Sequence, residues 1–100
     1  MLVHSVYFWL RDDLTAAEHE RFVEGLNALL TIESIHHGHA GMPATTNRPV
    51  IDRSYSYGLI VFFEDRAGHD AYQDDPIHDR FRDACGDLWR DVKIYDITAT

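Results

Sequence analysis

The sequence predicts an α+β fold in which a four-stranded antiparallel sheet carries its helices on one face. Three observations lead there. Strand-like and helix-like segments follow the order β–α–β–β–α–α–β. The two clearest strands are apolar at both odd and even positions, whereas the first helical segment is apolar on one side only. Two βαβ-like halves around a central β–β connection describe a ferredoxin-like arrangement. One helical layer covers one sheet face, so doubly apolar strands require a second cover. A second copy of the chain, packed sheet to sheet, supplies it and gives a dimeric α/β barrel.

Each element has its own signal. "LVHSVYFWL" (2–10) is rich in β-branched and aromatic residues and reads as a strand. Thr15 and Glu18 form a T-x-x-E capping box, in which each side chain satisfies the other residue's backbone N–H. Phe22, Leu26, Leu29 and Leu30 then recur at helical spacing, although Gly25 weakens that helix by up to ~1 kcal/mol relative to alanine. "ESIHHGHAG" (33–41) is a weaker strand, and "MPATTNRPVIDRS" (42–54), with two prolines, is a loop. "YSYGLIVFF" (55–63) is a strand apolar on both faces. Asp65 caps a short helix through Tyr72, and Asp75 with Pro76 opens the next. "VKIYDI" (92–97) closes the sheet.

Composition narrows the function classes. One hundred residues make a single domain (1–100), and a chain this short buries only roughly 60–65% of its unfolded surface. An apolar content of 45%, with 12% aromatics, leaves surface for a partner subunit. The net charge of −8 argues against nucleic acid and against anionic membrane, both of which select basic faces. One cysteine, Cys85, cannot make an internal disulfide. With no basic leader and no membrane-length apolar run, the expected location is the cytoplasm.

The chemistry concentrates in "HDAYQDDPIHDRF" (69–81). Continuing the helix from Pro76 puts His78, Phe81, Cys85 and Trp89 in one stripe, with Tyr72 at the end of the helix before. A tyrosine and a histidine on an apolar cavity suit enol or enolate chemistry, as donor and base. A helix N-terminus favours a neutral His78, while Asp74, Asp75 and Asp79 favour the cation. The bland alternative is a packed helix corner with the His78 ring bonded to a backbone carbonyl. His4, beside Val6 and Phe8, reads first as a core histidine, and His69 as a surface residue. Cys85 reads as inert packing. His37 and His39 share a strand face in H-x-H spacing but lack a characteristic third ligand, so no metal is expected there. Arg48 and Arg53 belong to the loop.

The run "AYQDDPIHDRF", together with "MLVHSVYFWL", "YSYGLIVFFED" and "LWRDVKIYDI", resembles the stress-responsive A/B barrel (Dabb) family over nearly the whole chain. The resemblance implies the dimeric α+β barrel. It also implies a pocket whose counterparts, in a cofactor-free plant polyketide cyclase of that family, are Tyr72, His78, Trp89 and His4. Tyr57 stands where that cyclase has a histidine, and Val23 and Leu26 replace pocket aromatics, so its substrate does not carry over. On this basis His78, Tyr72 and His4 are the expected catalytic residues. Trp89, Tyr57 and Phe81 are the expected ligand contacts, and no cofactor is expected. The expected function is binding of a small aromatic or polyketide-like molecule, with acid–base conversion. The alternatives are a non-catalytic, stress-associated binding or structural dimer and, by fold analogy alone, a cofactor-free monooxygenase.

Overall fold

The computed structural model describes residues 1–99. Strand β1 (Leu2–Leu10) leads to helix α1 (Ala16–Leu29), strands β2 (His37–Gly41) and β3 (Tyr57–Phe63), helices α2 (Arg66–Asp74) and α3 (Pro76–Cys85), and strand β4 (Trp89–Thr98). The sheet order is β2-β3-β1-β4, with every neighbouring pair antiparallel. Among the described residues no helix is long and apolar enough to cross a membrane.

The alternation of β1 sorts the molecule into two faces. Val6, Phe8 and Leu10 point into the core with Leu59, Val61 and Phe63 of β3, and Phe22, Leu26 and Leu29 of α1 close over them. The capping box at Thr15 and Glu18 forms as expected. On the other face lie Tyr7, Trp9, Tyr95 and Ile97, with Tyr95 57% and Ile97 58% exposed. No helix reaches this side. The doubly apolar strands therefore have one face covered by helices and one without them among the described residues, where the loop before β3 lays Tyr55 against Tyr7 and Trp9 and leaves Tyr95 and Ile97 exposed.

Several boundaries move relative to the sequence pattern: β2 starts only at His37, and β4 extends to Trp89–Thr98. The ladder of β3 begins at Tyr57, and Ser56 instead ties the incoming loop to β1, donating its N–H to Phe8 O and accepting from Leu10 N–H. More consequentially, α3 stops at Cys85 and Trp89 belongs to β4, not to the helical stripe. Gly86 N–H closes the last turn on Arg82 O, and the chain then reverses to pair with β1. Leu10 pairs with Trp89 while Trp9 pairs with Asp91, so Arg90 is the extra residue of a bulge. The bulge turns Trp89 onto the same side as Val92 and Ile94. Its indole thus lies against Phe8 and stacks on Phe81, at a centroid distance of 5.7 Å and 22° between planes.

Gly25 has a reason to be glycine. A Cβ there would stand 2.9 Å from both Cys85 Sγ and a ring carbon of Phe81, so α1 and α3 cross too closely for a side chain. Both neighbours are buried. Gly25→Ala should therefore destabilise the domain despite the better helix propensity. Overpacking costs about 1–3 kcal/mol, against roughly 1 kcal/mol gained in the helix. A thermal melt should show Tm lowered, and an unchanged or raised Tm would contradict the close crossing.

Candidate functional site

The corner between α2 and α3 is built by one residue. Asp75 ends α2 by donating its N–H to Tyr72 O, and it caps α3 by accepting Ile77 N–H on its side chain at 2.8 Å. Pro76 follows at a position where no N–H is needed. This fixes Tyr72 and His78 on either side of the corner, with their rings 5.0 Å apart in an edge contact. Tyr72 is 1% exposed and packs on Phe63.

Beside the corner lies a cavity of about 310 Å³ between the sheet and the helices. Its apolar walls include Val6, Phe8, Phe81 and Trp89, and Tyr72, Gln73, His78 and Arg82 supply the polar groups. It opens along β4, where Val92 and Ile94 line the rim. The volume is at the lower end of the usual range for small-molecule sites, room for about one ring and a short substituent. A larger hollow of about 730 Å³ lies on the sheet face without helices, around Tyr7, Trp9 and Tyr95. That hollow holds no histidine among its lining residues; its ionisable groups include Asp52, Lys93 and Asp96.

Burial lowers the pKa of His78, and the nearby Arg82 guanidinium adds to this; Asp79 and Asp75 oppose it without prevailing. The competition that the sequence left open thus goes to the neutral imidazole. His78 Nδ1 is buried and has no hydrogen-bond partner among the described residues, unlike the capped ring of the bland alternative. Burial pushes the Tyr72 phenol well above its ordinary value, so it stays a protonated donor. A neutral imidazole can accept a proton, and a protonated phenol can polarise a carbonyl.

His78, Tyr72, Phe81 and Trp89 therefore share one cavity. Tyr57 and His4 do not line it. Tyr57 stands over Phe22, its hydroxyl sharing a 2.7 Å hydrogen bond with His19 Nε2, because its place at the start of β3 puts it toward the far end of α1. His4 reaches the cavity only through Tyr72, ring to ring at 5.7 Å. It is buried, and its Nδ1 is 2.5 Å from Asp96 Oδ1, opposite it on β4. Burial lowers the His4 pKa, outweighing the carboxylate.

His69, expected on the surface, turns under the sheet edge with its side chain 15% exposed and its ring 5.1 Å from His4. His37 and His39 do share a face, with their Nε2 atoms 3.0 Å apart and both residues exposed. Burial raises the Cys85 pKa, which agrees with packing. Arg53 donates to Ala44 O and braces the loop. Gln73 and Arg82 went unnoticed in the sequence, where they look like ordinary solvated helix residues. Asp96 required the strand register.

A family model described as the stress responsive A/B barrel domain (Dabb) matches residues 2–99. The chain belongs to the Dabb family. A Dabb family protein with a ferredoxin-like fold from Mesorhizobium loti superposes with a TM-score of 0.77 at 27% identity, over 99% of this chain and 96% of that one. A dimeric ferredoxin-like protein of unknown function from Thermobifida fusca gives 0.78 at 18% identity, over 98% and 90%. The hydroxynitrile lyase of Passiflora edulis gives 0.79 at 12% identity, over 99% and 93%, a likeness of fold. A search among curated proteins found no match.

The neutral state of His78 in this Dabb domain has a measurable consequence. Its folded pKa is below the ordinary 6.5, so the unfolded chain takes up the proton first as pH falls. The His78 contribution to stability is whole above the unfolded pKa and is lost as pH drops toward the folded one. NMR titration should find the His78 ring titrating below 6.5, and His78→Gln should flatten part of the fall in Tm between about pH 7 and 5. A His78 midpoint above 6.5 would reverse the sign and refute the neutral base.

Proposed function

We propose that this Dabb domain acts as a homodimer that binds a small aromatic or polyketide-like molecule in the Tyr72–His78 cavity of each subunit. There it carries out cofactor-independent acid–base conversion of the ligand. His78 is the base that takes a proton from carbon next to a carbonyl. Tyr72 donates a hydrogen bond to the carbonyl oxygen, where negative charge develops as the enolate forms. Phe81 and Trp89 stack against the ring of the ligand, and His4, behind Tyr72, positions its phenol.

One observation carries this reading: an apolar cavity of about 310 Å³ with a neutral imidazole and a buried phenol in the same wall. A corner kept only for packing would be filled, with the imidazole bonded to backbone, since an orphaned buried nitrogen costs about 1–3 kcal/mol. A cytoplasmic location is part of this proposal, and the single cysteine, Cys85, supports it. The lyase among the structural neighbours shares too little sequence to pass on its reaction.

The homodimer reading is supported by the sheet face without helices, with its exposed Tyr95 and Ile97, and by the dimeric ferredoxin-like proteins among the structural neighbours. Light scattering at micromolar concentration should give the mass of two chains; a stable monomer would leave that face unexplained. For the cavity, a panel of small aromatic ketones and phenols should raise Tm for the wild-type protein. A ligand at about 100 times its Kd adds roughly 2.7 kcal/mol. His78→Ala and Tyr72→Phe should each diminish the shift, and equal shifts in all three proteins would remove both residues from the site.

A further inference from the structure

Next to the cavity, but outside it, a second constellation forms where α2 meets the end of the sheet. His4 on β1, Asp96 on β4 and His69 on α2 each offer one ligand atom, and these atoms all lie within 4.8 Å of one another. The Asp96 carboxylate bridges the two rings, with Oδ1 2.5 Å from His4 Nδ1 and Oδ2 4.0 Å from His69 Nε2. Four ångströms is too long for a hydrogen bond. Yet donors held at 2.0–2.2 Å around one ion stand roughly 3–4 Å apart, so the spacing suits two ligands of a common metal.

The chemistry of His69 adds an independent reason. Its Nδ1–H donates to Asp70 Oδ1 at 3.0 Å, which in the neutral ring leaves the lone pair on Nε2. Nε2 is buried, faces Asp96 and has no hydrogen-bond partner among the described residues. A carboxylate behind a histidine, fixing its tautomer and aiming its free nitrogen, is the support that metal-binding histidines ordinarily have. Access exists as well, because His69 and Asp96 line a surface groove of about 580 Å³. Glu64 and Asp65 add carboxylates to the rim of that groove, beside Arg66 and Met1.

We propose that His4, His69 and Asp96 form a binding site for a divalent transition-metal ion of the zinc class, two imidazoles and one carboxylate with the remaining positions open to water. Uptake moves the single ring proton of neutral His4 from Nδ1 to Nε2, by exchange with solvent, so that the Nδ1 lone pair and the Asp96 carboxylate both face the ion. The exposed His37–His39 pair, where the sequence points to a metal first, has no third ligand of this kind among the described residues. The site meets the ligand reading only at His4, which packs on Tyr72; His69 and Asp96 do not line the cavity, and metal binding is read without any ligand of that cavity.

The test uses the full chain stripped of metal by chelator and titrated with Zn²⁺, and with Co²⁺ as a coloured substitute. Equilibrium dialysis should give one ion per chain, and Co²⁺ should develop visible absorption on binding. His69→Ala should weaken binding at least tenfold, and Asp70→Asn, which removes only the orienting carboxylate, by about 10–100-fold. A His37→Ala/His39→Ala double variant should bind as the wild type does. Lack of stoichiometric binding by the wild-type protein would overturn the proposal, whatever the variants do. Binding that survives His69→Ala but disappears in the double variant would overturn it equally, assigning the metal to the exposed pair. Circular dichroism of each variant separates a lost ligand from a lost fold.

Discussion

Everything in this molecule hangs on the central position of β1. It is hydrogen-bonded to β3 on one side and β4 on the other, so its alternation dictates which residues of three strands share a face. Phe8 brings Phe81 and Trp89 together, Val6 lies beneath the cavity, and His4 meets Asp96. A slip of one residue in that register would exchange the whole set for Tyr7, Trp9 and Ser5. The core, the cavity and the polar cluster are thus consequences of one ladder.

The second constraint is the tight corner at Asp75–Pro76. Short helices hold their shape mainly through packing and caps. Here one aspartate serves both helices, ending α2 and starting α3. Tyr72 is wedged behind that corner, touching His4 on one side and His78 on the other. Burial raises the pKa of the phenol and lowers that of the imidazole beside it, favouring the neutral form of both. Desolvation, rather than any single charge, sets the chemistry of the corner. Stability and the shape of the cavity therefore draw on the same packing: the Tyr72 ring that packs at the corner also bounds the cavity.

Much of this was legible in the chain. Caps at Thr15, Asp65 and Asp75 announced all three helices, because capping is a local interaction between neighbours in sequence. Runs rich in β-branched and aromatic residues announced β1 and β3. The cavity pair Tyr72 and His78 was legible for a similar reason: only the short corner around Pro76 separates them. Trp89 lines the cavity from β4, not from the helix to which the sequence pattern assigned it. Apolar residues four apart, at Cys85 and Trp89, imitate a helix, and only the bulge at Arg90 explains how a strand residue arrives there.

By itself, the sequence determined the order of elements, the helix boundaries set by caps, the Dabb resemblance and the Tyr72–His78 corner. Each depends on residues close together in the chain or on patterns repeated along it. Tertiary structure decided the rest. His4 and Asp96 are 92 positions apart and meet only through the strand register. His69 is drawn under the sheet edge by the way α2 packs, and Tyr57 is carried away from the cavity toward α1. The protonation of His78 also had to wait, because burial decides it and burial is a property of the assembled fold.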